Sequence, residues 1–492
     1  MLTLLTVLSL LLTALIVGLL FWQFWSRGEP LLSWRNFFLL GFMQFYTVAV
    51  AHWSSTQAPS PVYTPRLTML GPLALSMVVF LALFLFSWRW GFNWNWPAKI
   101  IPRARLPVTT SAMLVCTVAV AFIAVLTVVL ARGGTVGDNI LFIVRVPLAT
   151  AATGCAVCLV LANPRNPVWW GLALAVGGFA LILSTVGSID RRNFLSVLFI
   201  VGWMWYYLSL RYQPRVKLIS KLAVVMAISF VMLATYNAFR QDRGFGADMA
   251  MRTSQFIENA KKGPNFSARN IIDGILLQDT PVCTMAIMEN YGDQWEYLPF
   301  HGIVYYFTNP IPRAWYPEKP EAVGVILQNQ LKVPANLGVG CIGHGWAEAH
   351  WWGVIYYAVG LGVICGVADR LARRFANDPF FLVTIGCSLG NVLGLARGET
   401  SLFLVIVTAG FVASQFIFWA ARVFLGPYMR IGDPLVIGGR LVSAPVDDVT
   451  GLSLPEPHFD DSADPSAGWD GESEQPWAHD DESEPAPYVH SV

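Results

Sequence analysis

Charged residues are scarce in this 492-residue chain: Asp, Glu, Lys and Arg make up 13%, against 55% hydrophobic residues. Soluble domains carry about 25% charge, so a string of soluble globular domains is excluded. Cysteine is sparse as well, and seven in the whole chain are no disulfide framework. Five of them (Cys116, Cys155, Cys158, Cys365 and Cys387) fall in apolar runs, where cysteine behaves as a small hydrophobe. The first apolar run lacks the basic flank and small-residue cleavage site of a secretory signal, so it reads as a retained span. Also missing are an internal repeat of fixed period, a Gly-rich nucleotide fingerprint and a paired-carboxylate metal motif. Ionisable groups nearly vanish from the centres of the apolar runs, which weighs against pumps and ion-coupled transporters. Nothing in the pattern points to a nucleic-acid partner.

What the chain does have is apolar runs of membrane-spanning character. Eleven candidates cover residues 2–25, 36–53, 69–87, 111–131, 140–162, 168–187, 194–210, 222–236, 351–367, 379–395 and 401–421. The fold class predicted is an all-α polytopic integral membrane protein of about eleven transmembrane helices, with membrane lipids as its solvent. Charge sets the orientation. One set of span ends holds seventeen Lys or Arg, whereas the other holds six: Arg66, Arg132, Arg145, Arg191, Arg192 and Arg397. The richer side is expected in the cytoplasm, which puts the N-terminus and a large loop outside and the C-terminus inside.

Four regions follow: an N-terminal helix bundle (1–236), a large outer loop (237–350), C-terminal membrane helices (351–422) and a cytoplasmic tail (423–492). From 446 onward the tail has thirteen acids and no Lys or Arg, so the rest of the chain is strongly basic. Rich in Pro, Ser, Gly and Asp, that stretch buries too little apolar surface to offset its ordering entropy and is predicted to be disordered.

Chemistry concentrates in the outer loop. The stretch Asn309-Pro-Ile-Pro-Arg-Ala-Trp-Tyr-Pro-Glu-Lys-Pro320 packs four prolines into twelve residues. Fixed φ angles and missing amide donors make it a stiff turn rather than a helix or central strand. It would aim Arg313 and Lys319 in set directions, beside Trp315 and Tyr316 at headgroup depth. Such cations suit phosphate, Arg by a two-pronged fork and Lys as a point charge; contact with ordinary lipid headgroups is the equal alternative. Further along, Gly343-His-Gly-Trp-Ala-Glu-Ala-His-Trp-Trp-Gly353 leads into a span. On a helix His344 and Glu348 stand four apart on one face, a pair able to act as base and orienter. Two ligands do not make a zinc site, so no metal is expected.

Arg191 and Arg192 sit in a very short outer loop, against the positive-inside pattern, and an anionic ligand would explain them. Arg397 lies in a similar hairpin, where Glu399 offers it a local partner. A Cys283–Cys341 disulfide is possible on an oxidising outer side.

The Pro310-Ile-Pro-Arg313…Trp315…Pro317-Glu-Lys319-Pro block, followed by Trp346-Ala-Glu348-Ala-His-Trp-Trp-Gly353 entering a span, resembles the bacterial oligosaccharide repeat-unit polymerases, the O-antigen polymerase family. The stretches Asp273-Gly-Ile-Leu-Leu277 and Met288-Glu-Asn-Tyr-Gly-Asp293 resemble the same family's outer loop. The likeness covers about residues 271–366, and Ala347 stands where relatives often have Gly before the Glu. It implies a glycosyltransferase of the bacterial inner membrane, free of cofactors, whose substrates are polyprenyl-diphosphate-linked oligosaccharides. Other glycan-assembly proteins are possible partners. By that resemblance Glu348 or His344 would be the base on the acceptor hydroxyl. Arg191, Arg192, Arg313, Lys319 and Arg397 would hold the diphosphate, with Arg313 stabilising it as it leaves. A ligase of the same fold, a flippase for lipid-linked oligosaccharide and a sensor acting through the acidic tail remain open alternatives.

Overall fold

The computed structural model describes residues 2–56, 60, 62–130, 138–186, 191–239, 261, 278–333 and 337–442. The chain divides into Met1–Pro445 and Val446–Val492, and the latter lies outside the described residues. Nine described helices are long and apolar enough to cross a membrane, and this is an all-α, multi-pass membrane protein. They include α1 (Leu2–Arg27), α2 (Trp34–Thr56), α3 (Leu70–Phe92), α4 (Thr110–Leu130), α5 (Asp138–Ala162), α6 (Pro167–Val186) and α7 (Arg191–Leu208). The described parts of the eleven expected spans are helical, and two of them are not among these nine. Helix α8 (Arg215–Phe239) opens with Arg215, Lys217 and Lys221, and most side chains of its second half lie outside the described residues. The span expected at 379–395 is short and interrupted near Cys387 and Ser388.

Large apolar side chains lie exposed along the outward faces of α1 (Leu4, Leu11, Phe21) and α4 (Phe122, Val129). In water such surfaces would aggregate; in hydrocarbon they are the expected exterior.

Three short helices are described between the two groups of spans: α9 (Thr280–Asn290), α10 (His301–Thr308) and α11 (Val323–Leu331). Helix α12 (Gly340–Arg374) follows, then α13 (Pro379–Gly386), α14 (Leu389–Gly394) and α15 (Thr400–Met429). The tail expected from residue 423 therefore begins later: α15 runs on to Met429, and a two-stranded hairpin (Val436–Ile437 with Arg440–Leu441) comes after it.

Helix α12 is the organising element. Its backbone breaks at Ala349 (φ −157°, ψ 35°) and His350 (φ 54°, ψ −132°), the latter a left-handed φ unusual for a side-chain-bearing residue. The break coincides with the boundary expected between loop and span. It folds residues 340–348 back against 351–374, so closely that a Cβ on Gly353 would lie 2.6 Å from the carbonyl carbon of Gly345. Below the break α3 packs along α12, where a Cβ on Gly366 would approach Phe92 N to 2.7 Å. Gly362 and Gly366 are four apart, the small-residue spacing that lets membrane helices touch backbone to backbone. Asp369 fastens this contact, accepting from Trp34 N (2.6 Å), Arg35 N (3.2 Å) and Trp88 Nε1 (2.9 Å). At the other end of α12, a π-helical stretch of α2 (Met43–Val48) carries Tyr46, whose hydroxyl accepts from Ile342 N at 3.1 Å. One of the orphan amides at the start of α12 is thereby satisfied.

Candidate functional site

The fold-back of α12 gathers four side chains that are distant in sequence. His344 and Glu348 come from the short arm and Tyr357 from the long one, while Glu399 precedes the first residue of α15. His344 Nε2 hydrogen-bonds Glu399 Oε1, and His344 Nδ1 hydrogen-bonds the Tyr357 hydroxyl. Tyr357 donates to Glu348 Oε1 at 2.6 Å, and that oxygen also accepts Gly302 N at 2.7 Å. Glu399 Oε2 accepts Gly324 N at 3.3 Å. The His344, Glu348 and Glu399 side chains are 0%, 2% and 8% exposed.

Hydrogen-bond valence fixes the protons. Tyr357 has one hydroxyl hydrogen and gives it to Glu348, so His344 Nδ1 must be the donor toward Tyr357. Burial works to raise the Glu399 carboxyl, but the His344 charge, its hydrogen bond and the Gly324 amide overrule it and hold Glu399 below its usual value. An ionised Glu399 requires a donor at Nε2. His344 thus donates from both ring nitrogens, as an imidazolium does.

His301 borders this cluster, its ring centroid 6.4 Å from that of His344. Among the described residues neither of its buried ring nitrogens makes a well-formed hydrogen bond, and the polar group facing the ring is the Glu321 backbone. Burial lowers its pKa, and the neighbouring His344 charge lowers it further. Tyr305, one turn along α10, links the cluster to the proline-rich turn. Burial and the nearby Glu399 push its phenol up, while its hydrogen bond to Asn309 and the Arg313 charge pull the other way.

A cavity of about 600 Å³ ends on this cluster. Gly302, Tyr357 and Ser401 line it at the site, and Trp34, Trp94 and Trp96 line it far along α12. Between them its walls are largely apolar: Ile303, Phe307, Leu361, Ile364, Leu404, Val407 and Phe411. Of the four clustered side chains, Tyr357 lines the cavity; His344, Glu348 and Glu399 sit behind it. Gly302 keeps that end open, because a Cβ there would lie 2.6 Å from both Glu348 Oε1 and Ser401 Oγ.

The expected pairing of His344 with Glu348 is present, with Nδ1 and Oε1 3.3 Å apart. Two expectations need correction. Glu348, expected as a base in direct reach of the acceptor hydroxyl, is a buried residue bonded to Gly302 and Tyr357. Lys319 does not offer its amine to a phosphate: Nζ is buried and donates to the carbonyls of Asn309 and Ile311. The turn's prolines lack amide donors, and Lys319 supplies hydrogen bonds in their place. Its pKa is lowered by burial and then by Arg313.

Arg313 is exposed, in a turn where Trp315 N and Tyr316 N bond back to the Pro312 carbonyl at 3.0 and 3.1 Å. Arg192 lies 3.7 Å from the centre of the Phe403 ring and packs against the 394–398 segment. Arg397, in that segment, reaches to 5.6 Å from the Phe45 ring. Arg192 and Arg397 thus flank the strand of chain that delivers Glu399, whereas the Arg191 side chain and Asp273 fall outside the described residues. Cys283 and Cys341 are free thiols, so the possible disulfide is not formed. Among the described residues no group of three or more His, Cys, Asp or Glu is arranged to hold a metal ion.

Sequence reasoning missed Glu399 as a partner of His344, and missed Tyr357 and His301 altogether. No known family, curated protein or solved structure matches the chain.

Proposed function

We propose that this protein polymerises oligosaccharide repeat units carried on polyprenyl diphosphate, at the outer face of a bacterial inner membrane. The N-terminus and the 237–350 region then face the periplasm and the C-terminus the cytoplasm. The observation that carries the reading is a buried proton-handling cluster at the end of a long apolar cavity. A substrate with a greasy chain and a reactive polar head suits that combination: the chain lies along α12 and α15, and the head meets the polar end.

In this reading the acceptor sugar hydroxyl attacks the donor's anomeric carbon, and polyprenyl diphosphate departs. Negative charge grows on the departing oxygen, and guanidinium groups at Arg313, Arg192 and Arg397 stabilise it. Each charge-assisted hydrogen bond contributes about 1.5–3 kcal/mol, so loss of one Arg lowers the rate about tenfold to a hundredfold. The cavity's largely apolar walls support a lipid chain better than a passage for hydrated sugars, which favours this reading over a flippase.

The test is the surface glycan of a deletion strain complemented with Arg313→Ala. Single repeat units with no long chains are the expected result, and a normal ladder of chain lengths overturns the reading. Long chains that stay on the lipid carrier for want of transfer point instead to a ligase.

A further inference from the structure

We propose that Tyr357 is the catalytic group that meets the acceptor hydroxyl, with Glu348 as the proton store behind it. The inference rests on the polymerase reading above and deepens it. Glu348, the base expected from sequence, lies behind the cavity wall, whereas the Tyr357 ring lines it.

The hydrogen-bond directions suit a relay. The Tyr357 oxygen has one hydrogen and two lone pairs. Its hydrogen points to Glu348 Oε1 at 2.6 Å, and one lone pair accepts from His344. The second lone pair faces the Ser401 hydroxyl, which also lines the cavity, and a donor arriving through the cavity takes the place of Ser401 there. When the acceptor oxygen bonds to the anomeric carbon, its proton passes to Tyr357 Oη while the Tyr357 proton passes to Glu348. The bond from the anomeric carbon to the diphosphate oxygen breaks, and its electron pair leaves with the diphosphate. Glu348 then returns its proton by the same path to the released diphosphate, so the cluster ends as it began. His344, held by Glu399, donates to the phenol oxygen throughout and steadies the charge that builds there. The Gly302 amide keeps Glu348 aimed at Tyr357.

The role differs from that of a packing residue in what it predicts. Tyr357→Phe keeps the ring and its burial but breaks the relay. In right-side-out membrane vesicles loaded with the host's own lipid-linked repeat units, Y357F should slow chain elongation by about a hundredfold or more. Its amount and thermal midpoint should match the parent. A second variant keeps the fold untouched: 3-fluorotyrosine at position 357 is a more acidic phenol of nearly the same size. It should change the elongation rate at neutral pH, a change that a purely structural tyrosine would not cause. An active parent with Y357F elongating at the parental rate, or a rate unmoved by fluorination, overturns the relay and leaves the polymerase reading standing. A parent that forms no polymer in the vesicles overturns both.

Discussion

His344 and Glu399, 55 residues apart in sequence, meet in a buried hydrogen bond that joins the short arm of α12 to the start of α15. The contact is electrostatic as well as structural. An imidazolium with no water around it persists only with a carboxylate beside it, and Glu399 is that carboxylate. Three chain segments depend on the same pair, since the Gly324 amide bonds the second Glu399 oxygen.

Removing that carboxylate should therefore be costly. Glu399→Ala leaves the His344 charge buried and unpaired, a loss of about 3–5 kcal/mol in stability. Glu399→Gln keeps the shape but not the charge, and elongation should fall by about a hundredfold or more while the protein still inserts. Detergent-solubilised melting curves and the glycan ladder measure the two effects. Wild-type behaviour in Glu399→Gln would remove the pair from the mechanism.

The acid side of the stability curve tests the same pair. The folded state holds Glu399 below its ordinary value of 4.5. Its contribution is therefore present in full above about pH 4.5 and is lost as pH falls through the lower, folded value. In Glu399→Gln that loss has nothing to titrate, so its melting midpoint should vary less than the parent's below pH 4.5.

His301 gives the same sign in a higher pH window. Its pKa lies below the usual 6.5, so the unfolded chain takes up a proton more readily than the folded one. Stability should fall as pH drops below about 6.5 and through the lower, folded value. His301→Phe removes two buried nitrogens that lack a well-formed hydrogen bond and should melt at the parental temperature or above it, with a flatter pH dependence across that window. A lower midpoint in this variant would mean that His301 has a bonding partner after all.

Much of the fold was legible because membrane helices are written in composition. The described part of every apolar run is helical, with 379–395 split into two short helices. The His344–Glu348 pair was legible too, because four residues is one helical turn. Tyr357 was not. Thirteen residues along an unbroken helix would carry it about 20 Å from His344, and nothing local announces the break at Ala349 and His350. Glu399 was hidden for another reason: beside Arg397 it looked locally neutralised, and only the docking of α15 shows where it turns. Lys319 misled because a lysine among prolines reads equally as a phosphate ligand and as a donor for the carbonyls those prolines leave unbonded.

Lys319→Met tests that last point. Without the amine, the carbonyls of Asn309 and Ile311 lose their donor, and the turn that carries Arg313 loosens. The Lys319 contacts stay within the turn, so elongation should fall toward the Arg313→Ala level while the thermal midpoint of the bundle stays put. A variant that elongates normally would leave the turn with another support.

The fold-back of α12 is open to a steric test. A methyl group on Gly353 would press into the backbone of Gly345, with 2.6 Å to its carbonyl carbon, and backbone cannot swing aside as a side chain can. Gly353→Ala must spread the two arms, which costs about 1–3 kcal/mol and carries Tyr357 away from His344. Activity should therefore fall further than stability. Gly178→Ala, in α6 with nothing within 4 Å of the new methyl, is the control. It should gain about 0.5–1 kcal/mol from the alanine alone and elongate like the parent. If the two variants behave alike, the close approach of the arms does not hold the cluster together.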